Sequence, residues 1–242
     1  MSFLFVEADR CPFCHRPANG RFGLCRACLE ELESPGACRL LESDFPDEKS
    51  AISVDADVPF YAYSALFYNR FLRHFFGAYK FHQQTSYERV FQSIVAAYAK
   101  QHPMLSRASW VSYIPQSHRR EVLRGSHPAR ALAEAVASAL KLPLLPLLQK
   151  GYTRASQKRI SAWERLTNVK GAFSVSPSVW SVPPRGVGIV CDDFVTTGNT
   201  LREALEILDQ SHLYAVGLAL ACVDFPSSEE TEGGWLQREE KR

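Results

Sequence analysis

Gly188-Ile189-Val190-Cys191-Asp192-Asp193-Phe194-Val195-Thr196-Thr197-Gly198-Asn199-Thr200-Leu201 is the stretch that decides the reading of this chain. Its first residues are apolar and β-branched, the composition of a strand buried on both faces. That strand is expected to end in two adjacent carboxylates, after which a loop of small hydroxyl residues opens a helix from Asn199 to Leu208. In an open α/β sheet, ligands bind beyond the carboxyl ends of the strands. Thr196, Thr197, Gly198 and Thr200 offer hydroxyls and close backbone N–H groups at a helix N-terminus, the makings of an anion cradle. Asp192 and Asp193 can accept hydrogen bonds from vicinal hydroxyls of a sugar, directly or through hydrated Mg²⁺. A phosphorylated ribose satisfies both halves. The competing reading is a carboxylate turn followed by a Thr-capped helix, which any α/β protein can contain.

Outward from this stretch, helical and strand-like periods alternate. Leu213 to Cys222 is an almost unbroken apolar run and reads as the next strand. Upstream, Arg130 to Leu140 and Tyr87 to His102 read as helices, and Ala108 to Ile114 reads as a strand stopped by Pro115. The aromatic-rich run from Phe60 to Tyr68 suggests a short strand or a hairpin over the core. Strands alternating with helices argue an α/β domain with a mostly parallel sheet.

At the other end, Cys11-Pro12-Phe13-Cys14 and Cys25-Arg26-Ala27-Cys28 form two C-x-x-C pairs separated by ten residues. Each pair brings two thiolates to one side of an ion, and Pro17, Asn19, Gly20 and Gly23 suit the reversal between them. Structural zinc bound by Cys11, Cys14, Cys25 and Cys28 is the favoured reading over a redox pair or unpaired thiols. Four thiolates would leave zinc no open position for chemistry. Cys38 has no such partner.

Organisation follows from these features. A zinc-knuckle module is expected over residues 1–40, an acidic linker over 41–58, an α/β domain over 59–224 and a polar tail over 225–242. The 242 residues include 46% hydrophobic and 22% charged side chains, which is ordinary globular composition. No stretch has the roughly 20 consecutive apolar residues of a membrane-spanning helix. The first residues lack the pattern of a secretory signal, so a reducing, cytoplasmic location is expected.

Charge nearly cancels, with 28 Lys and Arg against 26 Asp and Glu, but it is unevenly spread. From Glu30 to Asp57 there are nine acids and two bases, whereas from Arg107 to Lys170 there are twelve bases and three acids. The basic segment reads either as a phosphate-binding region or as solvated helix faces.

Taken together, these motifs resemble a known family. Val190 to Thr200 resembles the phosphoribosyl-pyrophosphate (PRPP) fingerprint of type I phosphoribosyltransferases. With the cysteine module it resembles, more narrowly, the ComF family, which includes ComFC and GntX proteins. Tyr79-Lys80-Phe81, Ile114-Pro115 with Arg119, Arg120, Arg124 and Gly125, and the run Arg154, Gln157, Arg165, Asn168, Gly171-Ala172-Phe173 are similar to further family motifs in the same order. The chain departs at Ser126-His127-Pro128, where the family usually has an aromatic, Asn and Gln. Pro128 has no backbone N–H, so that position offers a ligand no amide donor.

The resemblance implies a type I phosphoribosyltransferase-like sheet flanked by helices. It implies PRPP held with Mg²⁺ by Asp192, Asp193, Val195, Thr196, Thr197, Gly198, Asn199 and Thr200. Arg119, Arg120 and Arg124 are candidates for the pyrophosphate side, and Arg154, Lys158 or Arg165 for a flap. In such a transfer a nitrogen nucleophile attacks C1′ while pyrophosphate leaves, so the protein's work is positioning and charge neutralisation. The family also implies a role in natural transformation, handling incoming single-stranded DNA, with a DNA-uptake helicase and a recombination mediator as partners. The basic segment would then track phosphates, with Tyr113 or Trp163 stacking bases. A phosphoribosyltransferase acting on an unidentified base or amine is the alternative.

Overall fold

The computed structural model describes residues 10–32, 61–81, 85–117, 126–150, 173–177 and 183–223. Within them, a four-stranded parallel sheet has the order β1 (Ala62–Phe67), β6 (Ala215–Cys222), β5 (Gly188–Val195), β2 (Trp110–Tyr113). Beyond β2, Leu144 forms a parallel bridge with Val111 and extends the sheet by one position. Between β1 and β2 lie α2 (Arg70–Phe81) and α3 (Thr85–Gln101). The helix α4 (Pro128–Leu140) follows β2, and α5 (Asn199–Asp209) joins β5 to β6. A small antiparallel pair, β3 (Leu148–Lys150) and β4 (Phe173–Val175), stands beside the main sheet.

The aromatic run is therefore an edge strand of the main sheet rather than a hairpin over it, with Ala62 in register with Gly217. The helix α2 was not evident in the sequence. The expected helices from Tyr87, Arg130 and Asn199 are present as α3, α4 and α5.

Both faces of the sheet are covered, as expected for parallel strands. On one face Ile189, Cys191 and Leu218 pack with Ile94 of α3 and with Leu132 and Val136 of α4. On the other face Val190 and Ala219 pack with Leu201, Leu205 and Leu208 of α5 and with Phe173 of β4. Close approach of α5 depends on Gly217, where a Cβ would come 2.8 Å from the Ala62 Cβ and 3.1 Å from Leu201 Cδ1.

The departure Ser126-His127-Pro128 has a structural explanation. Pro128 is the first residue of α4 and His127 is its N-cap, its side chain accepting from the Arg130 N–H. Proline suits that position because its missing donor would be unpaired in any case and its φ is already helical.

The N-terminal module is built around its cysteines. His15 N–H bonds back to the Cys11 carbonyl at 2.8 Å, and Arg10 bridges Pro17 antiparallel. The return passes through Phe22 at φ 59° and Gly23 at φ 70° before α1 (Arg26–Glu30). The module packs onto the main domain: Phe13 stacks on Phe75 of α2 at 4.4 Å between ring centroids, and contacts Phe71, Tyr87 and Phe91. Asn69 Nδ2 donates to the Glu31 carbonyl at 2.7 Å, a second tie between module and domain.

Candidate ligand crevice and four-cysteine centre

The chain leaves the central strands β2 and β5 in opposite directions. From β2 it passes through α4 to Leu144, outside β2, whereas from β5 it passes through α5 to β6 on the other side. A crevice opens at the carboxyl ends of strands where connections diverge in this way. A cavity of about 230 Å³ lies there, lined by Ile114, Pro115 and Gln116 after β2, Ala129 of α4, and Asp192, Asp193 and Phe194 of β5. Thr200 of α5, with Lys150 and Phe173 of the β3–β4 pair, completes the lining.

Two features of β5 make its acidic pair into a site. The strand does not end at the carboxylates, as the sequence suggested, but runs through them to Val195. Asp192 and Asp193 both line the cavity, and the pairing of β5 with β6 keeps one register past them, Asp192 with Ala219 and Phe194 with Ala221. Cys191 belongs to the α3–α4 layer, and Phe194 packs against it, 4.4 Å from Tyr68 and 5.4 Å from Phe76 between centroids. Asp192, 9% exposed, accepts at Oδ1 from the Asp193 N–H at 2.8 Å, which fixes its carboxylate against its own backbone.

The loop after β5 supplies the second half. Gly198 is the N-cap of α5 at φ 75°, a left-handed conformation that glycine adopts without strain. Its N-cap residue is a glycine, which has no side chain to cap the helix, in contrast to the Thr-capped alternative. The first N–H groups of α5 therefore face the loop without an intrahelical acceptor, at the positive end of the helix dipole.

The structure brings together Asp192, Asp193 and Thr200 around one cavity. Thr196 and Thr197 are exposed on the adjoining loop, and Asn199 is half-buried at the first position of α5. Val195 is buried and packs in the α5 core, and it is not among the residues that line the cavity. Arg119, Arg120, Arg124, Arg154, Lys158, Arg165 and Trp163 lie outside the described residues, as does Cys38. Sequence reading missed Gln116, Lys150 and Phe173 as lining residues. The Ile-Pro strand end pointed to the neighbourhood of Gln116, but nothing local marked Lys150.

Cys191, the residue preceding the pair, is fully buried, and its thiol is held well above the ordinary range by burial and then by the charge of Asp192. It is a core thiol.

In the N-terminal module, the sulfur atoms of Cys11, Cys14, Cys25 and Cys28 all lie within 4.8 Å of one another. Cys14 and Cys25 Sγ are 3.4 Å apart, and the Cys28 N–H points at Cys25 Sγ at 3.5 Å. Burial, with the neighbouring cysteines, pushes the Cys28 thiol far up in the absence of a metal. A soft, all-sulfur donor set of this size fits a zinc ion, which would bind the thiolates and remove that penalty.

A parallel α/β protein with a switch-point crevice and a four-cysteine centre is the class that fold and site define. No family model matches the sequence. Over 96 residues the chain is 35% identical to Competence protein F of Haemophilus influenzae, a match covering 39% of this chain and 42% of that protein. The chain thus spans less than half the length of the curated relative it matches, and the resemblance to ComF proteins read from the motifs is borne out over that part. Similar solved structures include the allosteric regulatory enzyme of purine biosynthesis, at 20% identity and TM-score 0.33, covering 60% of this chain and 28% of that one. Another is orotate phosphoribosyltransferase from Aeropyrum pernix, at 18% identity and TM-score 0.31, covering 57% and 72%. Among the described residues no helix is long and apolar enough to cross a membrane.

Proposed function

We propose that this chain is a ComF-like competence protein whose crevice binds a PRPP-type ribose phosphate, and that it assists the uptake of single-stranded DNA. The observation that carries the ligand reading is the cavity at the carboxyl end of β5, lined by two adjacent acidic residues, Asp192 and Asp193, beside Thr200 and the N-terminus of α5. Carboxylates accept from the vicinal hydroxyls of a ribose, while helix N–H groups and threonine hydroxyls donate to the oxygens of a 5′-phosphate. Asp192 and Asp193 also fit hydrated Mg²⁺, which would neutralise the leaving pyrophosphate when bound. Lys150 at the cavity wall supplies a cation on the same side as Phe173. The DNA role is supported by the likeness to Competence protein F and by the basic segment from Arg107 to Lys170.

Calorimetric titration of Mg²⁺–PRPP into the zinc-loaded protein tests the ligand. Binding is expected in the parent and at least about tenfold weaker in Asp192→Asn/Asp193→Asn, since hydrogen bonds to charged groups are worth about 1.5–3 kcal/mol each. A folded parent that takes up no PRPP overturns the reading. Introduction of the chain into Haemophilus influenzae lacking Competence protein F tests the role: restored transformation supports it, and none despite normal expression counts against it. A steep fall of single-strand affinity with salt would accompany phosphate tracking, with DNA-uptake helicase and recombination mediator as the expected partners. The intact acidic pair keeps a second reading open, catalytic phosphoribosyl transfer, which pyrophosphate release with one added base or amine would establish.

A further inference from the structure

His127 is not among the residues that line the crevice, yet it joins two that carry its walls. Its Nε2 lies 3.2 Å from the Gln116 backbone nitrogen at the end of β2, and its Nδ1 lies 3.3 Å from the Arg130 backbone nitrogen in the first turn of α4. The first segment places Ile114, Pro115 and Gln116 on the cavity, and the second places Ala129. The Tyr113 ring meets the imidazole edge-to-face at 5.1 Å.

We propose that His127 is a positioning residue that ties the β2 wall of the crevice to the start of α4, and that protonation of its imidazole releases the tie. This deepens the ribose-phosphate reading and rests on it only for the ligand measurement below. The chemistry follows from what imidazole can do. Both neighbours are N–H donors, so His127 serves them as an acceptor. A neutral ring has one lone pair at nitrogen, so the Nδ1–H tautomer holds Gln116 and the Nε2–H tautomer caps α4. The imidazolium has no lone pair to offer and holds neither. Tyr113 of β2 meets the ring, and in the first turns of α4 stand Arg130 and Glu134, which pair with each other at 2.9 Å.

Two variants separate the cap from the tie. Asparagine is a strong N-cap acceptor but too short to replace Nε2, whereas glutamine reaches the Nε2 position and is a poor cap. Amide hydrogen exchange of Gln116 and Arg130, resolved by NMR in the ligand-free protein and normalised to intrinsic rates, reads each bond directly. In the parent, protection at Gln116 is expected while the imidazole is neutral and to fall about fivefold or more once it is protonated. His127→Asn is expected to keep Arg130 protected, to lose protection at Gln116 and to remove its pH dependence. His127→Gln is expected to restore Gln116. Equal, pH-independent protection at Gln116 in parent and His127→Asn overturns the proposal. The affinity for Mg²⁺–PRPP should fall severalfold in His127→Asn at pH 8 and recover in His127→Gln. Unchanged affinity with altered exchange would overturn the claim that the tie sets the crevice. If the parent binds no PRPP, the ribose-phosphate reading fails and exchange alone decides the tie.

Discussion

Gly188 carries more than its size suggests. It opens β5 beside Trp110, and a Cβ there would come within 2.3 Å of three indole ring atoms. Trp110 is 1% exposed and its Nε1 donates to the Gly186 carbonyl at 3.3 Å, so the ring cannot swing aside without losing a bond. Gly188→Ala should therefore overpack the core and cost about 1–3 kcal/mol, read as a lower Tm together with a shifted tryptophan emission. His102 poses the opposite problem, a polar group with too little around it. Its ring sits 4.1 Å from Tyr63 and 5.5 Å from Tyr98 between centroids, its Nδ1 has no hydrogen-bond partner among the described residues, and burial pushes its pKa down to about 4. The unfolded chain binds a proton near 6.5 that the folded chain refuses until about 4. Stability from this group is thus complete above pH 6.5 and declines as pH falls toward 4. His102→Phe should flatten the Tm profile across that window; an unchanged slope would show that His102 is not its source.

The elements differ in how openly the sequence declares them. The strands β5 and β6 and the helix α5 are plain because long apolar runs and a regular helical stripe survive any tertiary context. The run of β5 through Asp192-Asp193 is not plain, since a strand that ends at the acids and one that continues through them have the same composition. The strand β1 was legible as extended but not in its pairing, because its partner β6 lies some 150 residues away. The helix α2 was hidden because its aromatic residues Phe71 and Phe75 are spent on the N-terminal module instead of the sheet. Strands of three residues, such as β3 and β4, carry no usable period. The turn into α5 is the element whose geometry a single residue decides. Gly198→Ala forces a side chain into φ 75°, at a cost of about 1–2 kcal/mol. The loop of Thr196 and Thr197 is expected to move in response, so PRPP affinity should drop more than Tm predicts. Equal affinity in the two proteins would detach that loop from ligand binding.

At the scale of the whole molecule, the cysteine module and the α/β domain share one hydrophobic core. Cys11, Leu24, Leu29 and Leu32 belong to the same buried cluster as Phe75, Phe91, Ile94 and the sheet residues Ile189 and Leu218. So small a module cannot hold its own fold by apolar burial, and metal binding would supply the missing free energy. The consequence runs outward through Phe13, between two of the cysteines and stacked on Phe75. Loss of the metal should release Phe13 from α2 and α3, uncovering the layer that backs β5. Chelation is therefore expected to lower the Tm of the entire domain and to weaken PRPP binding at a site that contains no cysteine ligand. Phe13→Ala separates the two contributions. It should cost about 3–5 kcal/mol, as for other buried phenylalanines, while zinc content by metal analysis stays at that of the parent. If chelation leaves the near-UV circular dichroism and Tm of the domain unchanged, the module is an independent appendage. If Phe13→Ala also loses zinc, the aromatic contact supports the metal site itself and the coupling runs in both directions.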